Sequence, residues 1–172
     1  AKIDSKGNVM FILANAKIGQ ENMCIFGKFS KDGDLIWIDT LNKYKNKYDY
    51  YPTTSLAIDS SDNLIIATLH ILFKFNSNGK LLWKINNTDI LDKISETRTP
   101  GGVNFSCCKC DVNENVFVIL LGGNPNQGEL VIFDKHGNLK LINEGVSTRY
   151  DLDRHGKFYS ILNIEGKKFI EK

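Results

Sequence analysis

The sequence predicts an all-β protein, and more specifically a β-propeller built of four-stranded antiparallel blades. Three observations predict it: short apolar runs with a period of two, turns rich in Asp, Asn and Gly between them, and about four repeats of this pattern, the last one incomplete. The repeats are about 40 to 55 residues long, which is the size of one propeller blade. We expect the 172 residues to form a single domain or segment, with blades at about residues 1–39, 55–86, 104–143 and 149–172.

Composition excludes several other classes of protein. The chain has 22 Lys and Arg and 20 Asp and Glu, and a net charge of +2 is not the signature of a nucleic-acid-binding protein. The longest apolar run, Val116 to Leu121, is far shorter than the roughly 20 residues that cross a bilayer, so no membrane span is predicted. Two N-glycosylation sequons begin at Asn86 and Asn104, which is as many as chance gives. They therefore indicate no compartment.

A hairpin motif supplies the end of each repeat. Three segments align without gaps: residues 23–38 (MCIFGKFSKDGDLIWI), 69–84 (LHILFKFNSNGKLLWK) and 130–141 (LVIFDKHGNLKL). One glycine in each turn is expected to adopt a positive φ, which glycine does without steric cost: Gly33, Gly79 and Gly137. Trp37 and Trp83 occupy the same place, where the third segment has Leu141. We expect both Trp to pack between neighbouring blades and not to bind a ligand, so truncation should cost about 3–5 kcal/mol.

A second turn motif precedes each hairpin. It consists of Asp, three further residues and Asn, at Asp4, Asp59 and Asp111, and a degenerate fourth copy begins at Asp151. Asp and Asn side chains bond to the backbone that follows them, which is typical of a tight turn. Each unit is therefore read as strand, Asp turn, two strands, Gly turn and a last strand. In the second unit the first two strands are predicted at Ser55–Ile58 and Leu64–Leu69.

These repeats resemble two known types of propeller blade. The stretches FNSNGKLLWKI and FSKDGDLIWI are similar to the ends of PQQ-like repeats, in which Gly-Lys-x-Leu-Trp closes the turn into the fourth strand. The stretches ELVIFDKHGNLKLI and DSSDNLIIATLHILFKFNSNG are similar to NHL-type blades. The resemblance implies a blade and no particular activity. No set of catalytic or metal-binding residues of NHL-like lyases or lactonase propellers matches this sequence.

The fourth unit has room for three strands and not four, which leaves a sheet edge uncovered. We therefore expect a partial ring, completed by further blades of a longer propeller or by a second copy of the chain. A self-contained four-bladed propeller is the alternative.

The long connections between strands are predicted to share one face, where function usually lies on a rigid scaffold. They are residues 15–22, 39–54, 86–104, 122–128 and 143–149. One of them interleaves Tyr with Lys, and its predicted binding residues are Tyr44, Lys45, Lys47, Tyr48, Tyr50 and Tyr51. Tyr suits protein or glycan contacts. The alternatives are stacking on single-stranded nucleic acid, which the net charge disfavours, and a solvated loop whose rings pack on neighbouring blades.

The remaining candidate residues give weaker indications of function. Cys108 and Cys110 take the places of Leu56 and Ile58, so we expect core packing, with a metal or redox site as the alternative; Lys109 should face the other side of the strand. The Asp turns lack the Gly and Glu positions of an EF-hand calcium loop. The three His lie at or beside turns of three different repeats, and no known catalytic motif occurs: His70, His136 and His155. No cofactor or metal is predicted.

The sequence thus predicts a non-enzymatic binding or scaffold module that contacts a protein or a glycan through the long-connection face. The alternative is part of a propeller enzyme, a lyase or hydrolase with an active site at the mouth of the channel.

Overall fold

The chain folds into four consecutive antiparallel sheets, each made of strands that follow one another in the sequence. The computed structural model describes residues 1–18, 21–44, 53–91, 103–122, 127–147, 150–153, 155, 157–164 and 167–171. The all-β class and the four-stranded antiparallel sheets are confirmed, whereas their arrangement as a propeller stays a prediction. The first sheet is curled, and the second and third are not.

The strands have the following bounds. The first sheet contains β1 (Lys2–Ile3), β2 (Val9–Ile18), β3 (Glu21–Phe29) and β4 (Leu35–Thr40). The second contains β5 (Thr53–Ile58), β6 (Leu64–Thr68), β7 (Ile71–Phe75) and β8 (Leu81–Asn86). The third contains β9 (Asn104–Cys110), β10 (Val116–Leu121), β11 (Gln127–Phe133) and β12 (Leu139–Ser147). The fourth contains β13 (Tyr150–Leu152), β14 (Phe158–Ile164) and β15 (Lys167–Glu171).

Two short helices follow the last strands of the first two sheets. A 3₁₀ helix spans Leu41–Tyr44 and the helix α1 spans Thr88–Leu91. Within the described residues, neither helix has the length or the apolar character that crossing a membrane requires.

The tight turns repeat the same local pattern of hydrogen bonds. In the first, Oδ1 of Asp4 accepts the backbone N–H groups of Lys6 (2.9 Å) and Asn8 (2.8 Å), and Oδ2 accepts Nδ2–H of Asn8 (3.0 Å). The same capping of the second and fourth following amides occurs at six more turns, which begin at Ser30, Asp59, Asn76, Asp111, Asp134 and Asp153. Local side-chain chemistry therefore fixes these turns, as the sequence predicts.

The fourth Asp turn begins two residues later than predicted. Asp151 lies in β13, and its carboxylate binds the ammonium group of Lys109. The capping residue is Asp153, whose Oδ1 accepts the backbone N–H groups of His155 and Lys157, both at 2.9 Å. Asp153 also donates its own N–H to the carbonyl of Lys157 (3.1 Å), which closes the turn. The prediction was wrong here because both aspartates fit a loose Asp pattern.

Two of the predicted long connections are mostly strand. Residues 15–18 and 21–22 belong to β2 and β3, with Ala16 opposite Met23 and Lys17 opposite Asn22. In the connection at 143–149, β12 continues to Ser147, which pairs with Gln127. Strand pairing therefore extends into both predicted connections, although their sequences lack a clear apolar alternation.

Apolar layers fill the spaces between successive sheets. The layer between the first and second sheets centres on Phe26 and Phe75, whose ring centroids are 4.5 Å apart. The layer between the second and third sheets includes Ile65, Leu72, Val118, Val131 and Phe133. The layer between the third and fourth sheets includes Phe117, Ile119, Leu130, Tyr150 and Leu152. Each sheet is therefore stabilised mainly by its neighbours along the chain.

A bulge in the last strand of the first sheet separates two apolar residues onto opposite faces. Lys28 pairs with Trp37 and Phe29 pairs with Leu35, so that Ile36 is the extra residue. The second and third sheets have the same irregularity, at Leu82 and Lys140. We call the side of each sheet that carries the Lys28–Trp37 pair or its equivalent the Trp face, and the side with Phe29 and Leu35 or their equivalents the receiving face.

Candidate functional site

The Trp face of one sheet contacts the receiving face of the next through a repeated polar contact. Nε1–H of Trp37 donates to the carbonyl of Ser77 (3.0 Å), and the indole lies over Gly79, where an added Cβ would be 2.9 Å from the ring. Trp83 repeats this contact on the third sheet: its N–H donates to the carbonyl of Lys135 (3.1 Å), and its ring lies over Gly137. The predicted packing of both Trp between neighbouring sheets is confirmed.

Two buried ion pairs accompany these contacts. Nζ of Lys28 lies 2.7 Å from Oδ2 of Asp4, and Nζ of Lys74 lies 2.7 Å from Oδ2 of Asp59. All four side chains are at most 8% exposed. Each Lys also approaches the turn carbonyl that accepts the indole N–H, at 3.5 Å for Lys28 and 3.4 Å for Lys74. Sequence reasoning missed these pairs, although Lys28 and Lys74 align with each other and each follows an equivalent Asp turn in its repeat.

The third sheet lacks this ion pair. Ile132 takes the place of the Lys and Leu141 takes the place of the Trp. Oδ2 of Asp111 accepts Nδ2–H of Asn115 (2.7 Å), and Nζ of Lys140 donates to Oδ1 of Asn115 (3.2 Å). The third Trp face is therefore apolar and packs on Tyr150 and Leu152 of the fourth sheet.

The pKa of Asp4 gives the Lys28–Asp4 pair a pH dependence. Burial alone would raise the pKa of this carboxyl group, but hydrogen bonds from Lys28, Asn8 and the turn amides hold it well below its usual range. A lowered folded-state pKa stabilises the protein above the unfolded pKa of about 3.9, and this stabilisation is lost as the pH falls below that value.

We therefore expect the urea midpoint of unfolding to fall between about pH 5 and pH 2.5, and to fall less steeply in the Asp4→Asn variant. Asp32→Asn is the matched control, because Asp32 is exposed and its backbone N–H donates to Oγ of Ser30 in its own turn. Unfolding measured by circular dichroism at a series of pH values tests this. Equal slopes for the wild type and Asp4→Asn would contradict the assignment.

The first strands of three sheets line a cavity of about 340 Å³, which we call the inner-strand cavity. Its lining comes from β1, β5 and β9 and consists of Lys2, Ile3, Ser55 to Ile58 and Cys107 to Cys110. Oγ of Ser55 accepts the backbone N–H of Cys108 (2.9 Å), which ties β5 to β9 directly. The cavity therefore lies where successive sheets meet at their first strands.

The polar groups around the inner-strand cavity are largely engaged. Lys109 binds Asp151 of the fourth sheet, and its ammonium group lowers the pKa of that carboxyl. The hydroxyl of Tyr150 donates to the carbonyl of Cys107 (2.8 Å), and burial raises the pKa of Tyr150. As predicted, Lys109 points away from the Cys108 side of its strand, towards the neighbouring sheet.

Cys108 and Cys110 behave as small apolar residues. Cys108 is 4% exposed and belongs to the apolar layer between the second and third sheets, and Cys110 packs against it. Burial raises the pKa of Cys108 to about 11, so that it is a thiol at neutral pH. Among the described residues, no group of three or more His, Cys, Asp or Glu side chains could hold a metal ion.

A shallow cavity of about 410 Å³ lies at the turns of the third sheet, bounded by residues 112–115 and 134–136. It contains Glu114, Asp134 and His136, and Nδ2–H of Asn138 holds the pKa of Asp134 below its usual range.

The three histidines are not brought together. His136 and His155 lie in different turns, and Nδ1 of His70 lies 3.3 Å from Nδ2 of Asn87, near the opposite ends of the strands.

The structure describes one of the six predicted binding residues. Tyr44 ends the 3₁₀ helix and packs inward, with its ring centroid 6.0 Å from that of Phe73 and 5.6 Å from that of Phe75. The other five, Lys45, Lys47, Tyr48, Tyr50 and Tyr51, lie outside the described residues. Tyr44 therefore anchors the start of this connection to the layer between the first two sheets.

Comparison with known proteins gives a likeness of fold. No protein-family model and no curated protein matches the chain. The structure is similar to the crystal structure of a protein of unknown function from Bacteroides caccae, with a TM-score of 0.54 and 12% sequence identity. The similarity covers 88% of this chain and 49% of the other, so this chain spans about half the length of that protein. At this identity the likeness concerns the fold alone.

Proposed function

We propose that the four sheets are blades of a β-propeller and that the protein is a non-enzymatic binding module, which contacts another protein or a glycan through its long-connection face. The radial arrangement is supported by two features. The first and second sheets contact the next sheet through the same Trp and Lys, and the first strands of three sheets share the inner-strand cavity.

The observation that carries the binding function is a set of polar contacts between sheets at the end of the sheets where the tight turns lie, which we call the turn end. Ser5 donates its backbone N–H (2.8 Å) and hydroxyl (2.6 Å) to the carboxylate of Asp62 in the next sheet. The hydroxyl of Ser61 donates to the carboxylate of Glu114 in the third sheet. Together with the buried Lys–Asp pairs, these contacts use several polar groups of the turn end to join neighbouring sheets. The opposite end, with the longer connections, is left for a ligand.

The inward packing of Tyr44 supports a division of roles within residues 41–52. A ring buried against Phe73 and Phe75 fixes the start of the connection. Tyr48, Tyr50 and Tyr51 are then the contact residues, because Tyr offers a large apolar surface with a polar tip at low entropy cost.

The alternative function is an enzyme, with its site in the inner-strand cavity where a propeller channel would open. A lyase or hydrolase site needs an acid–base pair or a metal. The described residues that line the cavity include Lys2, Ser55 and Lys109, and none of them is His, Arg or a carboxylate. Lys109 is paired with Asp151, and Oγ of Ser55 accepts the backbone N–H of Cys108, so both side chains already have structural partners. This engagement favours the binding function.

Replacing Tyr48, Tyr50 and Tyr51 with Ser is expected to abolish binding without unfolding the protein. The probes are a glycan array and chemical crosslinking to proteins of a cell extract, each followed by titration of the purified hit. A control with Lys31, Asp32 and Lys135 replaced by Ser alters exposed residues of the turn end and should bind normally. Unchanged binding by the triple Tyr variant, or equal loss in the control, would contradict the assignment of this connection.

A further inference from the structure

Within the part of the chain that the structure describes, the receiving face of the first sheet is an apolar surface without the cover that the receiving faces of the second and third sheets have. Ile3 is 70% exposed, Leu35 is 53% exposed and Phe29 is 36% exposed. The residues equivalent to Phe29 in the second and third sheets are Phe75 and Phe133, which are at most 1% exposed. Because these positions correspond through the repeat, the exposed face has the residue pattern of an interface between sheets.

The glycine turn of the first sheet lacks the indole contact that the glycine turns of the second and third sheets have. In the second and third sheets the turn glycines, Gly79 and Gly137, lie against the indoles of the preceding sheets, with an added Cβ at 2.9 and 3.2 Å from the ring. Gly33 also has a positive φ, 94°, but no heavy atom of the described residues lies within 4 Å of its added Cβ. The carbonyl of Lys31 takes the place of the Ser77 and Lys135 carbonyls, which accept the indole N–H groups.

We infer that the receiving face of the first sheet binds a further four-stranded antiparallel sheet of the same repeat type, whose last strands carry a Lys and a Trp. The Trp indole would lie over Gly33 and donate its N–H to the carbonyl of Lys31, while an apolar layer covers Phe29 and Leu35. The occupant is identified by continuity with two interfaces of the same chemistry. Trp37 and Trp83 are both engaged within the chain, so a second copy would have to release one of them to bind in this way.

A tandem protein tests this inference directly. Residues 1–55 are duplicated in front of the full chain, which places Ala1 in the position that Leu56 has after Ser55 and keeps the native connection and register. The added sheet brings its own copies of Lys28 and Trp37 to the receiving face. We expect thermal unfolding to shift upward by about 5 °C or more, because repeats stabilise one another through their shared interfaces.

Two variants of the tandem protein identify the interface. Leu35→Asp in the original first sheet, and separately Trp37→Ala in the added copy, should each remove most of the gain. Leu35→Asp in the unmodified chain should shift unfolding by less than about 2 °C, because Leu35 is half exposed there. Ile36→Asp is the matched control in the tandem protein, because Ile36 is the bulged residue and its equivalent Leu82 stays 48% exposed although the receiving face of the second sheet is covered.

Three outcomes would overturn the inference. The first is a tandem protein no more stable than the original chain, and the second is a gain that survives both Leu35→Asp and Trp37→Ala. The third is a dimer of the unmodified chain in analytical ultracentrifugation that Leu35→Asp converts to a monomer. That result would make a second copy the occupant of the receiving face.

Discussion

Replacing Lys74 with Met is expected to lower the free energy of unfolding by about 3–5 kcal/mol, because it leaves the buried carboxylate of Asp59 without its cation. The Lys74 side chain is 1% exposed and that of Asp59 is 0% exposed, and their charged atoms are 2.7 Å apart. The carboxylate of Glu114, 3.7 Å from Nζ of Lys74, loses the same cation. Met keeps most of the side-chain volume, so the loss reports charge and not a cavity.

The double variant Asp59→Asn with Lys74→Met should regain at least half of this loss, since no unpaired charge then remains buried. Lys80→Met is the matched control, because Lys80 belongs to the same hairpin and is exposed. It should change stability by less than about 0.5 kcal/mol. Urea unfolding measures all three variants. A loss below about 1 kcal/mol for Lys74→Met would mean that the pair contributes no more than an exposed ion pair.

Replacing Trp83 with Ala is expected to cost about 3 kcal/mol, the lower end of the range for a large aromatic residue, because the ring is half buried. The variant removes an indole that packs against the layer between the second and third sheets, lies over Gly137 and donates to the carbonyl of Lys135. It also leaves that carbonyl without this donor.

Trp83→Phe separates packing from hydrogen bonding and should cost about 1–2 kcal/mol. Leu82→Ala is the matched control, since Leu82 is the neighbouring bulged residue and is 48% exposed. Thermal and urea unfolding measure the effect, with ligand binding assayed in parallel. A Trp83→Ala protein of normal stability that has lost binding would show that this Trp is a ligand contact and not a packing residue.

The class of fold and the turns could be predicted from the sequence because both depend on local interactions. Period-two apolar runs predict strands, and the bounds of β5 and β6 differ from the prediction by at most two residues. The hydrogen bonds that cap the Asp4 turn lie within residues 4 to 8, so five residues suffice to predict the turn. The same local pattern misplaced the fourth turn, because Asp151 and Asp153 both satisfy it and only the pairing of β13 with β14 selects Asp153.

The faces of the sheets were decided by tertiary structure. Leu35 and Trp37 are two residues apart, and simple alternation would put them on the same face. The bulge at Ile36 separates them, so that Trp37 packs on the second sheet while Leu35 stays exposed. A bulge depends on how two strands pair, and one strand's sequence does not contain that information.

The candidate sites divide in the same way. The repeat alone determined that Trp37 and Trp83 are equivalent, and that Cys108 replaces an apolar core residue. Only the assembled sheets showed that Lys28 and Lys74 are buried with Asp4 and Asp59 and that three first strands enclose one cavity. The physical reason is range: an Asp turn is stabilised by atoms of its own segment, whereas burying a charge depends on a partner and on a neighbouring sheet that excludes water, and these come from distant parts of the chain.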